Sequence, residues 1–210
     1  MKWILGVRGC LPSSRITYKK AGDGFLFYAL CDTNGYLFQF FPFFDTQWVM
    51  NHFGMAKTFS AVVELLKHIP TTEEWHHVFM DNLYGNVKLA EHLLEMKFEC
   101  TSTMRANRIP KGLKLNAKPA HNEFVSLFRN GVKVIKWMDK KEVRFCTTAQ
   151  QHFPEMLIDK TMKRPVKDPV TGAYERKEVI EQVLNVAKDY NDNMNGVMCV
   201  ISSGKFTTSS

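Results

Sequence analysis

The sequence has few of the features that staple small secreted domains or cross membranes. Its five cysteines are scattered over 210 residues, and no two of them form a Cys-x-x-Cys pair. This dispersion argues against a structural zinc site and a disulfide framework, and it is typical of a reducing compartment. No apolar run approaches about 18 residues, so we expect no membrane-spanning segment.

Basic residues are scarce in the first half of the chain and abundant in the second. Residues 1–104 carry 9 Lys/Arg and 10 Asp/Glu, whereas residues 105–210 carry 19 and 11. The second half therefore holds all of the excess positive charge in a net charge of +7. Such a region attracts a polyanion such as DNA or RNA. Basic surfaces also serve solubility alone, and charge by itself leaves both interpretations open.

Strand-like and helical patterns alternate along the chain and predict a mixed α/β (α+β) fold in a single domain. The predicted strands are 25–31, 35–41, 75–80, 98–104, 123–128, 132–138 and 142–149, and the predicted helices are 55–68, 87–96 and 175–194. Asn34-Gly35 predicts a type I′ hairpin turn between the first two strands. The stretch 75–104 has the length of a parallel β-α-β unit. Residues 150–174, which contain three prolines, are predicted to form a loop.

Two aspartates directly follow predicted strands. Asp32 closes the first strand of the opening hairpin, and Asp81 closes the first strand of the β-α-β unit. If the two strands end at one edge of a sheet, their carboxylates can hold hard divalent cations for phosphoryl chemistry. The competing interpretation is purely local, because aspartate is a favoured turn residue beside Asn34-Gly35 and also at a loop that precedes a helix.

Five blocks of the sequence resemble piggyBac transposases and occur in that family's order. The second block, Asp81-Asn82-Leu83-Tyr84 with the later Leu89-Ala90, is similar to the family's motif around its second catalytic aspartate. The other four blocks are Ala29–Tyr36 around Asp32, Ser102–Arg108, Lys136–Lys141 and Asp189–Met198. Together they cover roughly residues 16–198, so we expect a member of this family.

The resemblance implies a ribonuclease-H-like core with an inserted β-rich subdomain. Residues 16–104 would form the first part of the core, 105–174 a basic insertion, 175–198 a closing core helix and 199–210 a tail. It also implies that the catalytic aspartates hold two Mg²⁺ ions, which activate water and a DNA 3′-hydroxyl. On this basis Asp32 and Asp81 are the expected catalytic and metal-binding residues. The pair His76-His77 is predicted to be structural.

The family's third aspartate falls at Met198 in this sequence. A thioether does not replace a carboxylate at Mg²⁺, because hard cations prefer charged oxygen ligands. On a continuous helix, Asp192 and Asp189 would point away from that position, so neither is expected to substitute. The sequence also lacks the family's cysteine-rich zinc-binding region, so no zinc is expected. We therefore predict a trimmed, domesticated or degenerate copy in which transposition is impaired.

Three functions are compatible with this sequence. The first is a transposase-derived protein that binds DNA non-specifically through its basic half; the second is a Mg²⁺-dependent transposase or nuclease core using Asp32 and Asp81; the third is a protein-interaction module on a transposase scaffold. The expected DNA contacts are Arg105, Arg108, Lys111, Lys114, Lys133, Lys136, Lys140 and Lys141. A nuclear location fits the first two functions, and a homodimer is compatible with the resemblance.

Overall fold

The computed structural model describes residues 2–5, 14–15, 23–42, 57–71, 75–110, 115, 118–167, 169 and 172–194. They form an α+β arrangement of strands and three short helices. The strands are β1 (Lys2–Leu5), β2 (Ser14–Arg15), β3 (Asp23–Cys31), β4 (Leu37–Pro42), β5 (His76–Met80), β6 (Phe98–Thr103), β7 (Phe124–Arg129), β8 (Val132–Met138), β9 (Glu142–Thr147), β10 (Leu157–Lys167) and β11 (Tyr174–Leu184). The helices are α1 (Lys57–Leu66), α2 (Val87–Glu95) and α3 (Asn185–Asn193).

A five-stranded sheet in the order β5-β6-β9-β8-β7 organises the described part of the chain. Strands β5 and β6 pair in parallel and are joined through α2, which confirms the predicted β-α-β unit. The other pairs are antiparallel. Strands from the predicted core and from the predicted insertion share this sheet, because β6 pairs with β9. The expected boundary at residue 105 therefore lies between strands of one continuous sheet.

The interior strand β8 is buried on both faces, and its alternating side chains supply two separate clusters. Val132 and Val134 pack on one side in the larger cluster, which contains residues of α1 and α2. Ile135 and Trp137 pack on the other side with Leu184 at the end of β11 and with residues of α3. Because side chains along a strand point alternately to opposite faces, β8 contributes to the packing on both faces of the sheet.

The two Asn-Gly pairs among the described residues, Asn34-Gly35 and Asn130-Gly131, adopt different turns. Between β7 and β8, Asn130 has φ 51° and Gly131 has φ 77°, as a type I′ turn requires. In the opening hairpin Gly35 has φ 90°, but Asn34 does not have a positive φ. The type I′ prediction is therefore wrong for Asn34-Gly35, because the side chain of Asp32 organises a longer loop there.

The predictions for residues 150–194 are largely wrong. Residues 157–167 and 174–184 form the antiparallel strands β10 and β11, and of the predicted helix 175–194 only residues 185–193 are helical. Val179 and Val183 are spaced by four, which fits both a helical period and two strand periods, and it is the cross-strand pairing that decides between them. In β11 the burial alternates strictly from residue 179 to residue 183. We call the β10–β11 pair the ribbon.

No helix in the described ranges is long and apolar enough to span a membrane.

Candidate functional site

Asp32 follows β3 directly, as predicted, and its carboxylate is fixed by the loop that it organises. Its Oδ1 accepts hydrogen bonds from the backbone N–H of Asn34 at 2.9 Å and of Tyr36 at 2.7 Å. The backbone of Asp32 also bonds to Tyr36 and Gly35, which closes the loop. The side chain is half-buried. The loop therefore holds one carboxylate oxygen against backbone donors in a defined orientation.

Asp81 follows β5, also as predicted, and begins the loop that leads into α2. Its Oδ1 accepts from the backbone N–H of Leu83 at 2.7 Å, and its carbonyl accepts from Tyr84 and Gly85. Asp81 itself is exposed. Gly85 has no room for a side chain, since a Cβ there would lie 2.1 Å from the carbonyl oxygen of Thr103. The loop that carries Asp81 is therefore pressed against the end of β6.

Two arginines brace this loop from the segment after β6. The guanidinium of Arg108 donates to the carbonyl oxygen of Leu83 and, at 3.5 Å, to that of Gly85. Nε of Arg105 donates to Oδ1 of Asn82 at 3.2 Å. Arg108 is half-buried, whereas Arg105 is exposed. Both were expected to contact DNA, and the structure gives each of them a partner in the Asp81 loop.

Strands β3 and β5 belong to two different sheets among the described residues, which corrects the expectation that their ends share one sheet edge. A cavity of about 540 Å³ lies between them. Its lining is mostly apolar, and Asp32, His76, His77 and Asn193 are among its polar members. The end of β3 thus faces β5 and α3 across a cavity, whereas Asp81 does not line it.

Two of the lysines expected to bind DNA lie inside the fold. Lys133 and Lys136 are each only 7% exposed, on the interior strand β8. The ammonium group of Lys133 lies 2.6 Å from Oε2 of Glu155 and 4.0 Å from the ring centre of Phe153. That of Lys136 lies 3.2 Å from Oε2 of Glu142. These two lysines therefore stabilise the sheet and do not present a surface charge to a phosphate.

The remaining expected contacts differ in position. Lys140 and Lys141 are exposed in the turn between β8 and β9. This turn lies near the ribbon, because Lys140 interacts electrostatically with Glu181 and Asp139 with Arg164. Lys111 and Lys114 lie outside the described residues. Among the members of the expected set that the structure describes, the exposed cations are thus Arg105, Lys140 and Lys141.

The carboxylates of Asp32 and Asp81 are hard oxygen donors of the kind that Mg²⁺ prefers. Within the described ranges, however, no group of three or more His, Cys, Asp or Glu side chains is arranged to hold a metal ion. Met198, at the family's third position, lies outside those ranges. The described residues thus offer two carboxylates of suitable chemistry but not a complete ligand set, and we derive no metal-dependent step from them.

A buried polar cluster beside the cavity escaped the sequence analysis. His152 is 1% exposed, and its Nε2 lies 2.9 Å from Oδ2 of Asp189 on α3. Gln151 also donates to that oxygen, at 2.8 Å. Asp189 therefore serves a contact between α3 and the sheet. Because these residues are far apart in the sequence, no local motif indicates their contact.

Two comparisons with known proteins find similarity, one in sequence and one in fold. The family model described as Transposase IS4 matches residues 9–200. A solved structure of the piggyBac transposase synaptic complex with hairpin DNA is similar in fold, with a TM-score of 0.72 and 20% sequence identity. The similarity covers 100% of this chain and 40% of that one, so this chain spans less than half of its structural relative. No curated protein sequence matches the chain.

A family match over most of the chain defines its class, and the folds agree. The chain belongs to the IS4/piggyBac-type transposase family. The expectation drawn from the five sequence blocks is confirmed at this level.

Proposed function

We propose that this protein is a transposase-derived DNA-binding domain that holds duplex DNA through exposed cations and is impaired in catalysis. The observation that carries the proposal is the surface position of Lys140 and Lys141 in a sharp turn. The ammonium groups of adjacent lysines in such a turn would contact phosphates that flank a groove of the duplex. Contacts to phosphates position a protein on DNA but do not distinguish one base from another. Exposed Arg105, beside the Asp81 loop, supplies a further cation.

Two further observations support DNA as the partner. The relative of similar fold is a transposase in a complex with hairpin DNA, as its title states. The excess of positive charge in this chain lies entirely after residue 104. Phosphate contacts of this kind release counterions, so they make binding strongly dependent on salt. We propose a nuclear location on the same grounds.

The impairment rests on the third position of the family's acidic set. Met198 stands there, and Asp189 is engaged by His152 and Gln151 at 2.9 Å and 2.8 Å. A carboxylate that receives two strong hydrogen bonds within the fold is a poor replacement ligand. Two carboxylates, Asp32 and Asp81, therefore remain for a metal ion that the family binds with three.

A salt titration of duplex DNA binding tests the proposal. Affinity should fall steeply between about 50 and 200 mM salt. The double variant Lys140→Ala/Lys141→Ala should reduce the slope of log K against log salt by about 2, since each phosphate contact contributes about 0.9. The matched control Lys67→Ala/Lys88→Ala removes two exposed lysines from the first half and should leave the slope unchanged. Equal slopes for both variants would contradict the proposal.

The second candidate is a Mg²⁺-dependent nuclease or strand-transfer activity at Asp32 and Asp81. The observation in its favour is that each carboxylate follows a strand and has one oxygen fixed by backbone N–H groups. Asp81→Asn keeps that acceptor for Leu83 but removes the charge, so it should abolish Mg²⁺- or Mn²⁺-dependent nicking of plasmid DNA. Asp159→Asn, at an exposed position of β10, is the control. Nicking that survives in Asp81→Asn excludes this site.

A further inference from the structure

Six polar side chains from four parts of the fold meet between the five-stranded sheet and α3. They come from β5, β6, the end of β9 with the short turn that follows it, and α3. The six side chains are His77, Thr101, Thr147, Gln151, His152 and Asp189. Thr101, Thr147 and His152 are each at most 1% exposed. Polar groups buried this deeply must satisfy one another, so their hydrogen-bond pattern is constrained.

One side of this cluster is an unbroken chain of short contacts. Nε2 of His152 lies 2.9 Å from Oδ2 of Asp189, and Nδ1 of His152 lies 2.8 Å from Oγ1 of Thr147. Oγ1 of Thr147 in turn lies 2.9 Å from Oγ1 of Thr101. Both ring nitrogens of His152 thus have partners. This series of contacts runs from α3 into the middle of the sheet.

The other side returns to the same carboxylate. Oγ1 of Thr101 lies 2.8 Å from Nε2 of His77, and Nδ1 of His77 lies 3.5 Å from Nε2 of Gln151. That Nε2 also donates to Oδ2 of Asp189 at 2.8 Å. The six side chains therefore form a closed ring, which we call the His77–His152 ring.

One arrangement of protons satisfies every contact in the ring while both imidazoles are neutral. The amide nitrogen of Gln151 only donates, so Nδ1 of His77 must accept and Nε2 of His77 must carry the proton. His77 then donates to Thr101, Thr101 to Thr147 and Thr147 to Nδ1 of His152. The remaining proton of His152 is on Nε2 and points at Asp189. Both imidazoles are thus neutral, with the proton on Nε2.

The surroundings of the two histidines favour this neutral form. Burial lowers the pKa of His77 to about 4, against an opposing influence of Asp189 and a further lowering by His152. Burial also lowers the pKa of His152, although its hydrogen bond and charge interaction with Asp189 and the charge of Glu99 oppose this, while Lys133 adds to it. The charges facing the ring thus come from α3, β6 and β8.

We propose that the His77–His152 ring is a proton-ordered lock that holds α3 on the five-stranded sheet and opens when an imidazole gains a proton. A proton on Nδ1 of His152 would turn that nitrogen into a donor and reverse the hydrogen bond between Thr147 and Thr101. Thr101 would then accept from both Thr147 and Nε2 of His77, and its own buried hydroxyl proton would have no acceptor within the ring. A buried donor without a partner costs free energy, so the closed ring would be destabilised.

The lock bears on the candidate site because α3 forms part of the cavity wall. The side-chain nitrogen of Asn193 donates to Oδ1 and to the carbonyl oxygen of Asp189, at 2.8 and 2.9 Å. Asn193 lines the cavity together with Asp32 and His77. The ring, Asp189 and Asn193 thus connect the sheet to that wall. The proposal is independent of DNA binding and of metal binding.

The first test reads the protons directly in the unmodified chain. Long-range ¹H–¹⁵N NMR spectra at pH 7 should show His77 and His152 as neutral imidazoles protonated on Nε2. Exposed His121 supplies a reference signal outside the ring. A proton on Nδ1 of either ring member, or a charged imidazole at pH 7, overturns the proposal. Since no substitution is involved, a variant that fails to fold does not affect this measurement.

The second test measures the attachment of α3 by amide hydrogen exchange. Asp189→Asn replaces the charged acceptor by a neutral amide, so the α3 amides should exchange roughly tenfold to a hundredfold faster. The control is Asp192→Asn on the same helix, because Asp192 pairs only with Lys160 and Lys188 at the surface in the described structure. That control should change exchange by less than about threefold. Equal effects of the two variants overturn the proposal.

The same experiment across pH tests the opening. From pH 7 to pH 5, and after correction for intrinsic exchange, the protection of α3 should fall while that of α2 stays constant in the wild-type chain. Helix α2 packs on the opposite cluster, so it is an internal control. A parallel change of both helices would show general loosening of the fold and would overturn the lock.

Discussion

The interior strand β8 and the β10–β11 ribbon are both rich in cations, but the cations of β8 are buried and those of the ribbon are exposed. Lys133 and Lys136 on β8 are 7% exposed and paired with acidic side chains inside the fold. On the ribbon the side chain of Lys163 is 72% exposed, and its partner Glu178 lies 4.0 Å away across the strands. A count of positive charge therefore overstates what is available to a polyanion.

The difference follows from what surrounds each strand. β8 has neighbours on both edges and a cluster on both faces, so its side chains leave water whatever their chemistry. A buried cation then needs a partner. Among the described residues the two ribbon strands pair only with each other, and Ile180 on β11 remains 72% exposed. The same residue type thus stabilises the fold in one strand and stays hydrated in the other.

The largest expected contrast is between two isoleucines. Ile135 on β8 is fully buried, so Ile135→Ala should lower the free energy of unfolding by about 4 kcal/mol through lost burial and a cavity. Ile180→Ala on the ribbon should change it by less than about 0.5 kcal/mol. Urea unfolding followed by circular dichroism measures both. Comparable losses would show that the ribbon is packed in solution.

The second-largest effect is expected for the buried ion pair between Lys133 and Glu155. Lys133→Ala leaves the carboxylate of Glu155 without its ammonium partner at 2.6 Å, so it should cost about 3 kcal/mol. Burial raises the pKa of Glu155, but the hydrogen bonds from Lys133, Ser126 and the backbone, together with the charge of Lys133, hold it below its usual value. The matched variant on the ribbon is Arg164→Ala, which removes the partner of Glu181 at a more exposed position. It should shift the urea midpoint of unfolding much less. The same shift in both variants would remove the contrast between the strands.

The pH dependence of stability should come third. Burial lowers the pKa of His77 from 6.5 to about 4. Between these two pH values, His77 is therefore protonated in the unfolded chain and neutral in the folded chain. The contribution of His77 to the free energy of unfolding is therefore complete above pH 6.5 and is lost as pH falls towards 4. Between pH 7 and pH 5 it amounts to about 2 kcal/mol. His77→Gln should remove this part of the urea-midpoint shift, and an unchanged shift would assign it to other groups.

The smallest effect concerns the first turn of α2. Oδ1 of Asn86 accepts from the backbone N–H of Lys88 at 2.9 Å and caps the helix. Asn86→Ala should cost about 1 kcal/mol in thermal or urea unfolding. Lys88→Ala, on the exposed side of the same turn, should be nearly neutral. If both substitutions cost the same, the cap is not what stabilises this turn.

Much of the sheet is predictable from local pattern. The strands β3 to β9 and the helix α2 occur close to where alternation and helical periodicity place them, and Asp32 and Asp81 follow strands as expected. The β10–β11 ribbon is not predictable in this way, because a spacing of four residues satisfies both periods. The contact of His77 with residues near His152 also has no local signal, since the two are 75 positions apart.

By itself, the sequence determined the family, the β-α-β unit and the two strand-end aspartates, since these depend on motifs and periodicities within short windows. Only the tertiary structure decided which cations are available and which are buried, and what Asp189 contacts. Burial depends on the neighbours that a strand acquires, and hydrogen-bond partners depend on which strands and helices meet. Those relations exist only after the chain has folded.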